Sequence, residues 1–125
     1  MTSPVKWGVT LVIIGVTTFT LVLFIMPSAH AGFTLKEYES VKTTDWFRNY
    51  IGGVGEGIFW ANDKNKNLGM PPLYCQPDKL TLSSDNYLNI LQRFIQENKS
   101  LKKHPEAPVE LLLLEGLIET FPCKK

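Results

Sequence analysis

Apolar residues recur at helical spacing along most of the chain after residue 34. In the first such stretch they lie mostly three or four positions apart, at Leu35, Tyr38, Val41, Phe47, Tyr50, Ile51, Val54 and Ile58. This period places them on one helix face, but the regular spacing is interrupted at Thr43-Thr44-Asp45. The segment "TLKE" (Thr34 to Glu37) matches a capping box that begins a helix. The pattern predicts one long helix, or two with a break at the threonines, ending near Asn62.

A loop and a second helical stretch follow. Asparagine, aspartate, glycine and three prolines between Asn62 and Lys79 predict an irregular segment. Thr81 or Ser83 is placed to cap the next helix. The predicted buried face of that helix consists of Tyr87, Ile90, Leu91, Phe94 and Ile95.

The end of the chain predicts a connector and a last, strongly apolar helix. The polar segment Gln96 to Pro108 contains two prolines and is expected to be a connector. Pro108 suits the first turn of a helix, where its missing amide costs nothing, and Pro122 ends that helix. We expect this helix to be the central element of the core through Val109, Leu112, Leu113, Leu114, Leu117, Ile118 and Phe121. Because no stretch alternates with period two for long, the expected fold is all-α, with three to four helices.

The first 31 residues have the features of a secretory signal peptide. Trp7 to Met26 contains no charged residue, and Pro27 and an Ala29-His30-Ala31 triplet follow it. We expect cleavage after Ala31, which leaves residues 32–125 as one domain outside the cytoplasm. The alternative is an uncleaved membrane anchor, because twenty apolar residues can span the ~30 Å hydrocarbon layer. A membrane contact is expected only under that alternative.

Two cysteines in a small exported domain predict a disulfide. Cys75 and Cys123 are the only cysteines of the chain, and an even number of cysteines outside the cytoplasm usually indicates a bond. By the chain-entropy model, such a cross-link contributes about 4 kcal/mol. Two free buried thiols are the alternative.

The charge balance argues against a nucleic-acid partner. The full chain has 13 basic and 12 acidic residues. Loss of Lys6 with the leader leaves 12 of each, so the net charge of the domain is zero. A nucleic-acid-binding surface would need a basic excess.

The glycine-rich segment "GGVGEG" (Gly52 to Gly57) is interpreted as a close-packing helix face. A phosphate-binding loop would need a preceding strand, whereas helical spacing continues through these glycines. Gly53 and Gly57 are four positions apart and are expected to make room for a neighbouring helix. Trp46 and Trp60 are assigned to the core or its rim.

The domain shows no pattern typical of a catalytic or metal site. After cleavage His104 is the only histidine, and both cysteines are expected to be oxidised, which leaves no good Cys/His metal site and no Cys–His pair. Glu110, Glu115 and Glu119 are interpreted as the solvated face of the last helix. We therefore expect a protein that is not an enzyme and needs no cofactor.

Three segments together resemble the Rap/Tai family of periplasmic immunity proteins, which neutralise peptidoglycan amidases delivered by type VI secretion. They are "YIGGVGEGIFWAN" (Tyr50 to Asn62), "LYCQP" (Leu73 to Pro77) and "HPEAPVELLLLEGLIETFPC" (His104 to Cys123), in the family's order. The resemblance implies a small helical domain with one disulfide, often a homodimer, that inhibits an amidase effector by binding it. The unusually long apolar leader departs from the family pattern.

Binding residues are expected in one of two irregular segments, Gln96 to His104 or Asp63 to Pro72. We predict Lys99, Lys102, Lys103 and His104 as partner-binding residues; the alternative is a solvated loop. Two other functions stay open. One is an acid-stress chaperone, and the other is an envelope-anchored binding module if Trp7 to Met26 is retained.

Overall fold

The computed structural model describes residues 32–124, which form a helical domain. The elements are α1 (Leu35–Val41), α2 (Asp45–Asn67), α3 (Ser84–Glu97), a 3-10 helix (Lys99–Lys103) and α4 (Val109–Thr120). Within this part of the chain there is no strand, only an isolated bridge between Thr34 and Pro108. The predicted all-α fold is confirmed. The predicted leader, residues 1–31, lies outside the described residues.

Of the two predicted alternatives, one long helix or two with a break at the threonines, the structure has the second, since residues 42–44 separate α1 from α2. Thr44 is the N-cap of α2: its hydroxyl accepts a hydrogen bond from the Phe47 amide at 3.4 Å and donates to the Val41 carbonyl at 2.7 Å. The capping box in front of α1 is also confirmed, since the Glu37 carboxylate accepts from the Thr34 amide at 2.9 Å. Two caps in close succession therefore produce two helices rather than one.

The predicted end of α2 near Asn62 is wrong, because α2 continues to Asn67. Polar composition alone does not end a helix, and Asn67 donates to the Asp63 carboxylate one turn earlier at 3.1 Å. The helix stops where Gly69 adopts a left-handed conformation with φ 71°. The segment Asp63 to Pro72 is thus irregular only in its second half.

The predicted connector is also more regular than expected. Gln96 and Glu97 belong to α3, and five further residues form the 3-10 helix. Ser83, rather than Thr81, caps α3 by accepting from the Asn86 amide at 3.3 Å. Pro108 occupies the N-cap of α4, one position before the predicted first turn.

The core is continuous, and α3 occupies its centre. α3 packs against both α2 and α4, which contact each other much less. The prediction that α4 is the central element is therefore wrong. α4 does bury Val109, Leu113 and Leu117 completely, but it packs mainly against α3. The buried hydrophobic residues are Tyr38, Phe47, Ile51, Tyr74, Leu82, Tyr87, Ile90, Leu91, Val109, Leu112, Leu113 and Leu117.

Close packing at the glycines of α2 is confirmed, but at different residues. A Cβ atom at Gly55 would lie 2.6 Å from Cε1 of Tyr87, and one at Gly52 would lie 2.8 Å from Cβ of Ser84. At Gly53 and Gly57, the residues we predicted, nothing lies within 4 Å of the added atom. The helix is rotated so that Gly52 and Gly55 face α3.

The predicted disulfide is present. Cys75 and Cys123 are joined with a Cα–Cα distance of 4.9 Å, and the Cys75 amide donates to the Phe121 carbonyl at 2.8 Å. The bond attaches the end of α4 to the loop that follows α2. Among residues 32–124, no helix combines the length and hydropathy that a bilayer crossing would need.

Candidate functional site

The four predicted binding residues lie together at one end of α3. Lys99, Lys102 and Lys103 belong to the 3-10 helix, and His104 is its C-cap. All four side chains are exposed. The His104 amide donates to the Leu101 carbonyl at 2.8 Å, which closes the last turn of the segment. We call this cationic surface, residues 99–104, the connector surface.

A groove of about 360 Å³ adjoins the connector surface. Its floor is apolar, and its rim carries both signs of charge through Lys36, Glu39 and Lys102. Of the four predicted residues, only Lys102 lines it. The lining residues are Leu35, Lys36, Glu39, Ile95, Asn98, Leu101, Lys102 and Pro105.

Backbone hydrogen bonds hold the connector against α1. The Leu35 amide donates to the Ala107 carbonyl at 2.9 Å, and the Lys36 amide donates to the Pro105 carbonyl at 2.9 Å. At the other end, the Asn98 side chain donates to the Phe94 carbonyl at 2.9 Å. The connector surface is therefore presented in a fixed geometry, as a binding surface requires.

The second predicted segment, Asp63 to Pro72, displays apolar side chains. Leu68 is 59% exposed and Met70 is 46% exposed. The loop is anchored by Asn62, which is only 2% exposed. Its side chain donates to the Tyr74 carbonyl at 2.9 Å and accepts from the Leu73 amide at 2.7 Å. The predicted loop residues are thus held in place by a buried residue that we had assigned to the end of a helix.

A second concave site was not predicted from the sequence. A cleft of about 230 Å³ lies between α2, the segment after the disulfide and the start of α3. Trp60, 63% exposed, lines it, so its predicted place in the core or rim is wrong; Trp46 packs on Phe33 at 5.3 Å, at the rim. We call this site the acid–aromatic cleft. It is lined by Glu56, Phe59, Trp60, Gln76, Asp78, Leu80, Thr81, Leu82 and Tyr87.

Buried polar groups surround the acid–aromatic cleft. Burial raises the pKa of the Tyr87 phenol, and the negative charge of Glu56 raises it further. Burial and then Glu56 raise the pKa of Tyr74 in the same way. The Tyr74 hydroxyl and the Gln76 Oε1 atom are buried without a hydrogen-bond partner among the described residues. This side of the domain therefore contains buried polar atoms that make no hydrogen bond within the described residues.

Glu110 has a structural role that sequence reasoning missed. We assigned it to a solvated face, but it accepts hydrogen bonds from the Tyr50 hydroxyl and from the Phe33 amide, the latter at 3.1 Å. Burial, and then the hydrogen bond to Glu110, raise the pKa of Tyr50 to about 12. Glu115 and Glu119 are exposed, as expected. Glu110 thus ties the first described residues to α2 and α4.

Neither concave site contains an arrangement of metal ligands. In the part of the chain that the structure describes, no three His, Cys, Asp or Glu side chains are grouped to hold a metal ion. His104 is exposed on the connector surface. The arrangement offers two surfaces for binding, one cationic and one acidic and aromatic.

Comparisons with known proteins do not identify the chain. No family model, no curated protein and no solved structure matches it. The resemblance to the Rap/Tai family, and the amidase partner that it implies, therefore stay predictions.

Proposed function

We propose that this protein is a periplasmic immunity protein that binds and inhibits a peptidoglycan amidase effector of a type VI secretion system. The observation that carries the proposal is the ordered set of three segments, Tyr50 to Asn62, Leu73 to Pro77 and His104 to Cys123. Further support comes from the disulfide, which covalently joins the second segment to the third.

An inhibitor of this kind needs a rigid scaffold rather than catalytic groups. The disulfide and the two hydrogen bonds of Asn62 hold the long loop after α2, and backbone bonds hold the connector against α1. Little conformational entropy is then lost when a partner binds, which favours affinity. The architecture is consistent with inhibition by blocking a cleft.

The connector surface is the proposed contact with the amidase. The three lysines, Lys99, Lys102 and Lys103, make this surface cationic, and Lys102 also lines the apolar groove beside it. Protein interfaces commonly combine an apolar centre with such a polar rim. Carboxylates near the amidase active site would be the complementary groups, and they would speed association at low salt.

Export is a requirement of the proposal. A peptidoglycan amidase acts in the periplasm, so its inhibitor has to be there too. The predicted signal peptide, residues 1–31, would direct export. The Cys75–Cys123 bond is typical of an oxidising compartment.

A neutralisation assay in cells tests the proposal. A panel of type VI peptidoglycan amidases would be directed to the periplasm of a bacterial host, with and without co-expression of this full chain. We expect one amidase whose lysis of the host is prevented by the co-expressed protein. Lysis by every amidase of the panel, with the protein present in the periplasm, would contradict the proposal.

Charge-reversal variants locate the contact. The pair Lys102→Glu and Lys103→Glu is expected to abolish protection, whereas Lys64→Glu and Lys66→Glu, which change the net charge equally on exposed α2 residues, retain it. Equal protection by both pairs would exclude the connector surface. Suppression of aggregation of many unrelated proteins at acidic pH, without amidase inhibition, would favour the chaperone alternative instead.

A further inference from the structure

The acid–aromatic cleft has the chemistry of a site for a positively charged side chain. We propose that it binds the cationic side chain of a lysine or arginine that a partner polypeptide presents. The proposal is independent of the amidase assignment, because the cleft adjoins the start of α3 and the connector surface follows its end.

The walls of the cleft supply negative charge that no cation of the domain neutralises. Glu56 on α2 and Asp78 on the segment after the disulfide both line it. Ion pairs among residues 32–124 involve Glu39, Asp45 and Asp85, and neither cleft carboxylate takes part in one. An entering ammonium or guanidinium group would therefore find acceptors that are still available, and hydrogen bonds to charged groups are the strong ones.

The aromatic side of the cleft favours a cation as well. Trp60 is 63% exposed, and its ring lies 5.2 Å from that of Phe59 in an edge-to-face arrangement. An indole ring with this much exposed surface is accessible to a ligand that enters the cleft it lines. The face of an indole ring attracts ammonium and guanidinium groups.

A residue that lines the cleft, Gln76, carries a buried acceptor without a partner. Gln76 is only 8% exposed, its side-chain amide donates to the Leu80 carbonyl at 2.5 Å, and its Oε1 atom lacks a partner in the described chain. A buried acceptor without a donor is unfavourable. Lysine and arginine side chains carry only donors, so they match an acceptor-rich cleft better than a neutral amide or a carboxylate does. An apolar segment would leave both carboxylates desolvated without a partner.

Peptide binding followed by NMR tests this inference. The oxidised, isotope-labelled protein would be titrated with acetyl-Gly-Arg-Gly-amide, acetyl-Gly-Lys-Gly-amide and, as the matched neutral peptide, acetyl-Gly-citrulline-Gly-amide. We expect the two cationic peptides to shift the Trp60 indole and the Gln76 side-chain amide signals, with weaker binding at high salt. Equal binding of the citrulline peptide, or no shift at these two groups, would overturn the proposal.

Matched variants separate the cleft from general electrostatic attraction. Trp60→Ala is expected to weaken binding about three- to fivefold, and Trp46→Ala, at a second exposed tryptophan among residues 32–124, leaves it unchanged. Glu56→Gln combined with Asp78→Asn is expected to weaken it about tenfold. The control is Glu115→Gln combined with Glu119→Gln, which also removes two negative charges, but from exposed carboxylates outside the cleft. Equal weakening by the control pair, or none by the cleft variants, would show that the cationic peptides bind elsewhere.

Discussion

The two faces of α2 use the same glycine-rich stretch in opposite ways. On the inner face, Gly52 and Gly55 leave room for Ser84 and Tyr87 of α3. On the outer face, Gly53 and Gly57 have no neighbour, and Trp60 continues that face into solvent. A glycine of α2 therefore contributes to helix packing only on the side that faces α3. The unpacked side is available for recognition.

The largest effect on stability is expected from the disulfide, which attaches the loop after α2 to the end of α4. Replacing Cys75 and Cys123 together by serine should lower the free energy of unfolding by about 4 kcal/mol. Chemical denaturation of the oxidised protein and the variant measures this. The unmodified protein in reductant should behave like the variant. A midpoint unaffected by reductant would show that the bond adds no stability.

The next effect concerns Asn62, which extends the inner face of α2. Asn62→Ala leaves the Tyr74 carbonyl and the Leu73 amide without their partner. We expect a loss of about 3 kcal/mol in the free energy of unfolding, compared with a small change for Asn49→Ala, which is exposed on the same helix. Similar losses for the two variants would mean that the loop is not held by Asn62.

Gly55→Ala tests the inner face directly. The added methyl group overlaps the Tyr87 ring, and the overpacking is expected to exceed the gain in helix propensity, with a net loss of about 2 kcal/mol. Thermal denaturation shows whether the substitution lowers or raises the stability. A variant more stable than the parent would show that α2 and α3 are farther apart than described.

Tyr38 of α1 and Tyr50 of α2 predict a loss of stability at alkaline pH. The pKa values of Tyr38 and Tyr50 are raised from 10.0 to about 12, mainly by burial. The folded state disfavours the ionised phenols, so they begin to favour unfolding once the pH exceeds 10.0, the pKa of the unfolded phenol. The stability that the neutral phenols contribute is complete below pH 10 and is lost as the pH rises towards 12. Denaturation midpoints measured across this range should fall, with a smaller decline for Tyr50→Phe. A flat profile would contradict the described burial.

The smallest expected effect is a gain on the outer face. Gly53→Ala and Gly57→Ala each place a methyl group where nothing lies within 4 Å. Helix propensity should then raise the free energy of unfolding by about 0.5–1 kcal/mol per site. In the same denaturation experiment, a loss of stability for Gly55→Ala and a gain for Gly57→Ala would support the assignment of a packed and an unpacked face to α2. Destabilisation by Gly57→Ala would contradict it.

Local signals in the sequence predicted much of the fold. The all-α class, the break before Asp45 and the disulfide follow from helical period, capping residues and cysteine count. The end of α2 was misplaced because polar residues at positions 63–67 are compatible with a helix, and Gly69 ends it. The rotation of α2 was misjudged because four glycines in six residues carry no hydrophobic signal that distinguishes one face from the other.

The candidate sites were predictable to different degrees. The connector surface is continuous in sequence, so its lysines were visible as a group. The acid–aromatic cleft combines α2, the segment after Cys75 and the start of α3, and only the folded chain brings these three together. The role of Glu110 was hidden for the same reason, since its donors, Phe33 and Tyr50, are 77 and 60 positions away.

Inhibition of a purified amidase is the most direct test of the proposed function. A peptidoglycan amidase of a type VI system would be titrated with the oxidised protein while hydrolysis of peptidoglycan fragments is followed at neutral pH. For the cognate enzyme we predict a linear loss of activity that reaches completion near equimolar protein. Undiminished hydrolysis by every amidase tested, at a large excess of folded and oxidised protein, would contradict the immunity function.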